Sequence, residues 1–263
     1  MTGTTRSPAS NEILIVSMIT LLAGILRFYR LDHQSLWIDE ILMIQRASIG
    51  EPFRWADWLA NPQGPFPALL FRMSVWAGGL SEWALRFPSA VAGTLTIPLI
   101  YQLSKRLGSA PAWPAAFLAA VSPMLVWYSQ ETRHYAMALF AAAWCANAFL
   151  DLIDGEPTTP VMLSLFGSTL IGMMSHLSMA IIVAAQGLTL ILRRRDRLRP
   201  WILAVCPAIL AMSPWFVVAV RDNLNLRHLA HAGPIPAEEL LRGESTFSWW
   251  GVPYTAFVFF AGY

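Results

Sequence analysis

The chain has 263 residues and a formal net charge of +2; 56% of its residues are hydrophobic and only 13% are charged. A soluble domain carries roughly 25% charged residues, so the deficit excludes an ordinary soluble protein and points to a polytopic membrane protein. The two cysteines, Cys145 and Cys206, both sit in apolar runs, which excludes a disulfide framework and a cysteine-based metal site.

Residues 1–11 are polar and small and are expected to form a disordered cytoplasmic tail. The first apolar run, Ile13 to Leu26, sits in a predicted helix from Glu12 to Tyr29. Its flank carries only Arg6, and no A-x-A-like site precedes Arg27 and Arg30. It reads as a retained span, not a signal peptide. Residues 30–82 are read as an outer loop. They hold the adjacent carboxylates Asp39 and Glu40, the tryptophans Trp37, Trp55 and Trp58, and the turn-rich run Asn61-Pro62-Gln63-Gly64-Pro65. Tryptophan at this density suits helices lying at a membrane surface. Within this loop Phe66–Leu80 is apolar but short, with Arg72 in its middle.

Longer apolar runs follow at Trp83–Ser104, Ala112–Tyr128, Ala136–Ile153, Val161–Ser175, Leu177–Leu192 and Trp201–Val220. Residues 221–246 are read as a second large outer loop, and 247–263, with the run Trp249–Tyr263, as the start of a further span. A chain that stops inside an apolar run is expected to be a fragment or a natural short form. If Phe66–Leu80 stays within the first outer loop, alternation puts Lys105-Arg106 and the cluster from Arg193 to Arg199 inside, which matches the excess of cations on cytoplasmic loops. If it crossed, that cluster would lie outside. The expected fold is therefore all-α: a polytopic membrane protein with about seven or eight transmembrane helices and a helical first outer loop. The same alternation puts Asp39, Glu40, Glu131, Arg133, His134 and His176 on the non-cytoplasmic side, although the topology rests on none of them.

Adjacent residues point in different directions on a helix or a strand, so Asp39 and Glu40 would have separate jobs. One would act as general base on an acceptor hydroxyl; the other would position a neighbour or help bind a cation. Two solvated loop carboxylates are the plainer alternative. Glu131 and Arg133 stand at i and i+2 and do not face each other on a helix, so each is free to meet something else. Arg133 offers a fork of donors that suits a lipid phosphate, or else snorkels to the interface. Glu131 adds negative charge at membrane depth, where ionisable groups tend to be functional. Arg86, at the outer start of a span, reads as a second phosphate ligand or as an interfacial anchor. His176, in a tight outer turn, reads as a donor to a phosphate or an acceptor, or as structural. The tryptophans read as interface anchors before sugar-stacking platforms. The sequence has no phosphate-cradling glycine loop, GxGxxG or metal-ligand cluster, so a Rossmann-type nucleotide-sugar site has no support. The arginine cluster reads as a topology determinant, and no nucleic-acid partner is expected. A divalent metal is compatible with the carboxylates, but no pattern demands one and no metal ligand is assigned.

The order of these motifs resembles a known family. Leu36-Trp37-Ile38-Asp39-Glu40 looks like the first-loop acidic motif of GT-C membrane glycosyltransferases. Ser81-Glu82-Trp83-Ala84-Leu85-Arg86-Phe87-Pro88-Ser89-Ala90 is similar to the S-E-x-x-x-R-x-P-S-A stretch of the dolichyl-phosphate-mannose–protein mannosyltransferase-like group, which includes the aminoarabinose transferases. Ser122-Pro123 and Tyr128-Ser129-Gln130-Glu131-Thr132-Arg133-His134-Tyr135 resemble its S-P…Y-x-Q-E-x-R-x-Y segment. The likeness runs over about 12–220, the module expected to hold the site. Two departures stand out: Gln63-Gly64-Pro65 replaces a common His-Pro-Pro, and His134 replaces a proline.

The resemblance implies an integral membrane glycosyltransferase of the bacterial inner membrane. It would move a sugar, with inversion, from a polyprenyl-phosphate donor to a lipid, glycan or protein acceptor on the outer face. Asp39, Glu40 and Glu131 form the expected catalytic set. Arg133, Arg86, His134, Tyr135 and His176 form the expected substrate and lipid-phosphate set. The alternative is a non-catalytic lipid-binding or transport protein, or an inactive fragment, on the same scaffold.

Overall fold

The computed structural model describes residues 8–55, 58, 64–108 and 111–231. The predicted tail at 1–7, residues 61–63 of the turn-rich run, residues 232–246 and the apolar run Trp249–Tyr263 lie outside the described residues. Among those described, the chain is all-α, with ten α-helices and no strand. They are α1 (Pro8–Phe28), α2 (Ile38–Arg46), α3 (Pro65–Gly78), α4 (Glu82–Arg106), α5 (Trp113–Val121), α6 (Pro123–Ser129), α7 (Tyr135–Asp154), α8 (Thr159–Ser175), α9 (Met179–Arg193) and α10 (Leu198–His231), with a 3-10 turn at Arg195–Arg197 before the last.

Four of these helices are long and apolar enough to cross a membrane, over Asn11–Phe28, Glu82–Arg106, Tyr135–Asp154 and Arg195–Val218. The runs predicted at Val161–Ser175 and Leu177–Leu192 form the shorter apolar helices α8 and α9. The run predicted as one span at Ala112–Tyr128 is two helices. Pro123 has no N–H to give the preceding turn, and Ser122 turns out of the helical region at ψ 119°, so α5 stops and α6 begins afresh. Two boundaries differ from expectation. α1 already includes residues 8–11 of the predicted tail, since proline suits the first helical position. α10 runs through Arg221 to His231, into the predicted outer loop, because no glycine or proline interrupts that stretch before Gly233-Pro234.

Phe66–Leu80 falls almost wholly on one short helix. Its helix α3 has 14 residues, a length of about 21 Å against a hydrocarbon core of about 30 Å. Arg72 in its middle donates to the carbonyls of Ala47, Ser48 and Glu51, and so satisfies the end of α2 and the turn after it. Gly64 introduces α3 at φ 95°, a left-handed conformation that glycine adopts without strain. A Cβ there would sit 2.4 Å from the Met174 carbonyl oxygen, so glycine also lets this turn approach the end of α8.

α4 is the central post. It packs on α1, α3, α5, α6 and α7, while α7 packs on α8 and α8 on α10. Its start is well defined: the Ser81 hydroxyl accepts the Ala84 N–H at 3.2 Å, Glu82 sits in the first turn, and Lys105 and Arg106 close the last. Three apolar clusters surround this post. One joins α7 to α10 through Phe149, Leu165, Val183 and Val205. A second holds α2, α3, α4 and α7 together through Met43, Phe71, Leu85 and Met137. A third joins α1, α4 and α5 through Ile19, Ile97 and Ala116.

Ion pairs mark one end of the bundle. Lys105 meets Glu12 at 2.7 Å, Arg106 meets Asp151 at 2.5 Å, and Arg197 meets Glu156 at 3.6 Å. These tie the start of α1 to the end of α4, and the end of α7 to the turn before α10. The sequence-predicted site residues gather where the same helices have their opposite ends.

Candidate active site

The site forms where α2, the start of α4 and the turn between α6 and α7 converge. Asp39 and Glu40 share the first turn of α2 and diverge. The Glu40 carboxylate is fully buried. Its Oε1 accepts Arg86 Nε at 3.0 Å and the Thr132 N–H at 2.7 Å; its Oε2 accepts Arg86 Nη2 at 2.8 Å and the Trp37 N–H at 3.3 Å. Four donors from three elements therefore end on one carboxylate. Burial alone would raise its pKa, but the Arg86 and Thr132 hydrogen bonds and the Arg86 charge hold it below the usual carboxylate range.

Arg86 is equally committed. Beyond Glu40, its Nη1 donates to the carbonyls of Leu31 and Gln34 at 2.9 and 2.8 Å, and its Nη2 reaches Ser35 at 3.5 Å. The guanidinium lies one turn inside α4 and points back toward the helix start, so it gathers the loop that leaves α1. No donor remains directed at a ligand, and the side chain is buried, unlike an interfacial anchor.

Asp39 faces the other way and stays partly open, with 37% of its side chain exposed. Its Oδ2 lies 2.8 Å from Arg133 Nη1. Arg133 donates through Nη2 to the Tyr135 hydroxyl at 2.8 Å, and its guanidinium lies 5.1 Å from the Tyr135 ring centre. The Ser89 hydroxyl of α4 donates to the Arg133 carbonyl at 3.2 Å and holds the turn in place. Arg133 Nε is buried and has no partner.

Glu131, between these two pairs, is 4% exposed, and neither of its carboxyl oxygens has a hydrogen-bond partner. Burial pushes its pKa up to about 7. The charges of Glu40 and Asp39 push the same way; Arg133 pulls back, as does the nearby Trp127 indole without completing a hydrogen bond. Gln130 has a structural job: its Nε2 donates to the carbonyls of Leu26, Arg27 and Tyr29, closing the end of α1.

His134 and His176 stack at 4.8 Å between ring centres, and Tyr135 and Tyr128 extend the cluster at 4.5 and 4.8 Å. Burial, with the charges of His176 and Arg133 behind it, pulls His134 down to about 3. Burial and Arg133 lower His176 as well. The pair is neutral at physiological pH and offers polar edges, not positive charge. His176 Nδ1 accepts the Ser178 N–H at 3.1 Å, which leaves the ring proton on Nε2.

All eight predicted site residues thus lie in one connected cluster. Sequence reasoning missed Arg27. It is 1% exposed within α1 and donates to the carbonyls of Ala119 and Ala120 at 3.2 and 3.0 Å. Those carbonyls lack helical partners because α5 ends before Pro123, so an arginine near the end of an apolar run, with Ser-Pro in a later one, was the available signal. Two cavities adjoin the cluster. One of about 420 Å³ is lined by Trp37, Trp127, Glu40, Arg86, Gln130 and Glu131. Another of about 330 Å³ is mostly apolar, with Tyr128, Tyr135 and Arg27 on its wall. No three His, Cys, Asp or Glu side chains among the described residues are placed to hold a metal.

The model of the dolichyl-phosphate-mannose-protein mannosyltransferase family matches residues 62–218, more than half of the chain. The chain belongs to that family. The mannosyltransferase-family match includes Arg86, Glu131 to Tyr135 and His176, while Asp39 and Glu40 precede it. A comparison with curated protein sequences gave no significant match. Among solved structures, a chain of the Saccharomyces cerevisiae protein O-mannosyltransferase Pmt1-Pmt2 complex bound to the sugar donor is similar, with a TM-score of 0.57 and 17% identity. The superposition covers 87% of this mannosyltransferase-family chain and 34% of the yeast chain. The likeness establishes a shared GT-C-type fold, and this chain spans about a third of its solved relative's length.

Proposed function

We propose that the chain is a membrane glycosyltransferase that moves a sugar from a polyprenyl-phosphate donor to an acceptor hydroxyl, with inversion at C1. The observation that carries this reading is the Asp39–Arg133 pair: a partly open carboxylate in direct contact with an arginine that retains an unpartnered Nε. Asp39 takes the proton of the acceptor hydroxyl as its oxygen attacks C1. The bond between C1 and the phosphate oxygen breaks, and its electron pair leaves with the polyprenyl phosphate. Arg133 stabilises that developing charge, exchanging its contact with Asp39 for the phosphate and freeing the base. Glu40 and Arg86 are positioning residues in this scheme. They lock α2 to α4 and so fix where Asp39 points. The apolar cavity beside Tyr128 and Tyr135 suits the start of a prenyl chain.

The site faces the non-cytoplasmic side in this reading. Lys105, Arg106 and the arginines from 193 to 199 collect at the opposite end of the bundle, as the positive-inside rule requires. A bacterial inner membrane, with a lipid, glycan or protein acceptor, fits this orientation.

The test is transfer of labelled sugar from polyprenyl-phosphate donors in membranes carrying the wild type or Asp39→Asn. A loss of about 10²–10⁴-fold in the variant is expected for removal of a general base. Equal turnover by both proteins sinks the role of Asp39. Donor binding with no turnover by the wild type identifies a lipid-binding protein.

A further inference from the structure

The turn between α9 and α10 carries charge that the protein does not balance. From Arg193 to Arg199 it holds five arginines and one acid, Asp196. Two of the arginines are matched. Arg194 holds Asp196 through two hydrogen bonds, Nε to Oδ1 and Nη2 to Oδ2, each at 3.2 Å. Arg197 lies 3.3 Å from Asp196 Oδ2 and 3.6 Å from Glu156, in the turn after α7. Arg193, Arg195 and Arg199 are exposed, and no carboxylate among the described residues pairs with them. Arg195 Nε donates to the Ile191 carbonyl at 2.8 Å, which covers the end of α9 and leaves both Nη groups of the fork for another acceptor.

The turn is also held in place. Trp201 of α10 donates its indole N–H to Gln186 of α9 at 3.1 Å. Gly187 makes room for that ring, since a Cβ there would meet it at 3.1 Å. Leu198 and Trp201 pack on the apolar cluster that joins α7 to α10. A fixed turn presents its guanidinium groups without the ordering cost that a flexible basic tail meets. Apolar side chains stand on both sides of it. Leu188 and Leu192 of α9 and Leu203 of α10 are 57, 70 and 62% exposed. In a membrane chain such side chains face hydrocarbon, which puts the arginines between them at the level of the headgroups.

We propose that this turn is a binding site for an anionic phospholipid. Arg193, Arg195 and Arg199 take the headgroup phosphodiester, and the exposed leucines of α9 and α10 lie along the acyl chains. A guanidinium fork matches two phosphate oxygens, and a bound anion balances the charge that Asp196 and Glu156 leave over. A zwitterionic lipid has the same phosphate but cancels it with its own ammonium group. A free phosphate ion offers the oxygens without chains for the leucines. The site lies at the opposite end of the bundle from the Asp39–Arg133 pair and is independent of the glycosyltransferase reading.

The experiment is native mass spectrometry of the purified full chain in detergent, with phosphatidylglycerol and phosphatidylcholine present in equal amounts. The wild type is expected to retain phosphatidylglycerol about tenfold or more over phosphatidylcholine. Arg195→Gln/Arg199→Gln should lower that preference about tenfold. Arg193→Gln, in the other helix, should lower it about fivefold and serves if the first variant does not fold. Equal retention of the two lipids by the wild type, or an undiminished preference in a folded variant, overturns the site. Displacement of phosphatidylglycerol by inorganic phosphate, at an ionic strength where chloride does not displace it, overturns the lipid assignment in favour of a free-phosphate site.

Discussion

Glu40 and Arg86 stand 46 residues apart in sequence and 2.8 Å apart in space, with 0 and 4% of their side chains exposed. Removing one member of a buried, fully bonded pair strands the other charge at a cost of about 3–5 kcal/mol. Arg86→Leu and Glu40→Leu should each lower unfolding stability in detergent by that order, and the double variant should recover much of the loss. A stable Arg86→Leu with weakened donor binding would instead make Arg86 a phosphate ligand.

Asp39 should behave oppositely to its neighbour. Its pair with Arg133 is partly open to solvent, and such pairs contribute roughly 0–1 kcal/mol. Asp39→Asn should therefore unfold within about 1 kcal/mol of the wild type while losing turnover. A drop comparable to that of Glu40→Leu would show that Asp39 is part of the framework.

Glu131 gives the fold a pH dependence. Its folded pKa is raised from 4.5 to about 7, so the folded state holds a proton that the unfolded chain releases. The resulting stabilisation is complete below pH 4.5, declines as pH rises from there, and is gone above about pH 7. Glu131→Gln should flatten this part of the stability profile, measured as unfolding midpoint against pH. An unchanged slope would mean that Glu131 ionises freely in the folded chain.

Arg27 should be required for folding, not for turnover chemistry. Arg27→Leu leaves the Ala119 and Ala120 carbonyls unpaired where α5 breaks, at about 1–3 kcal/mol for each buried group. Gly93→Ala should injure the same place, because a Cβ would fall 2.0 Å from the Ser129 hydroxyl and 3.0 Å from Arg27 Nε. Overpacking of this kind costs about 1–3 kcal/mol. Both effects are read from thermal unfolding, and a neutral Gly93→Ala would show that Ser129 swings aside without cost.

Gly64→Ala combines two penalties. The alanine would adopt φ 95° and press its Cβ against two α8 carbonyls, which side-chain rotation cannot relieve. It should loosen α3 from α8 and expose the Trp58 region to protease; unchanged proteolysis would mean that the turn has another accessible conformation.

Much of the molecule was legible in the chain. Apolar run lengths located the helices, and the shortness of Phe66–Leu80 anticipated the 14-residue α3. The divergence of Asp39 and Glu40 followed from their adjacency alone. The run Ala112–Tyr128, read as one apolar stretch, is broken at Ser122–Pro123 although Pro123 was in view, because hydropathy averages over a missing N–H. Residues 221–231 read as loop by polarity, yet the backbone continues as helix, since charge does not end a helix that nothing else stops.

The sequence by itself determined the solvent, the class of fold and a set of candidate site residues that share one end of the bundle. Those follow from composition and alternation, which are local or additive along the chain. The tertiary structure alone decided how differently the three carboxylates are surrounded. Glu40, Asp39 and Glu131 are the same functional group with the same intrinsic acidity in water to within a few tenths of a pKa unit. What separates them is whether four donors, one arginine or no partner stands opposite, and those partners come from elements far apart in sequence.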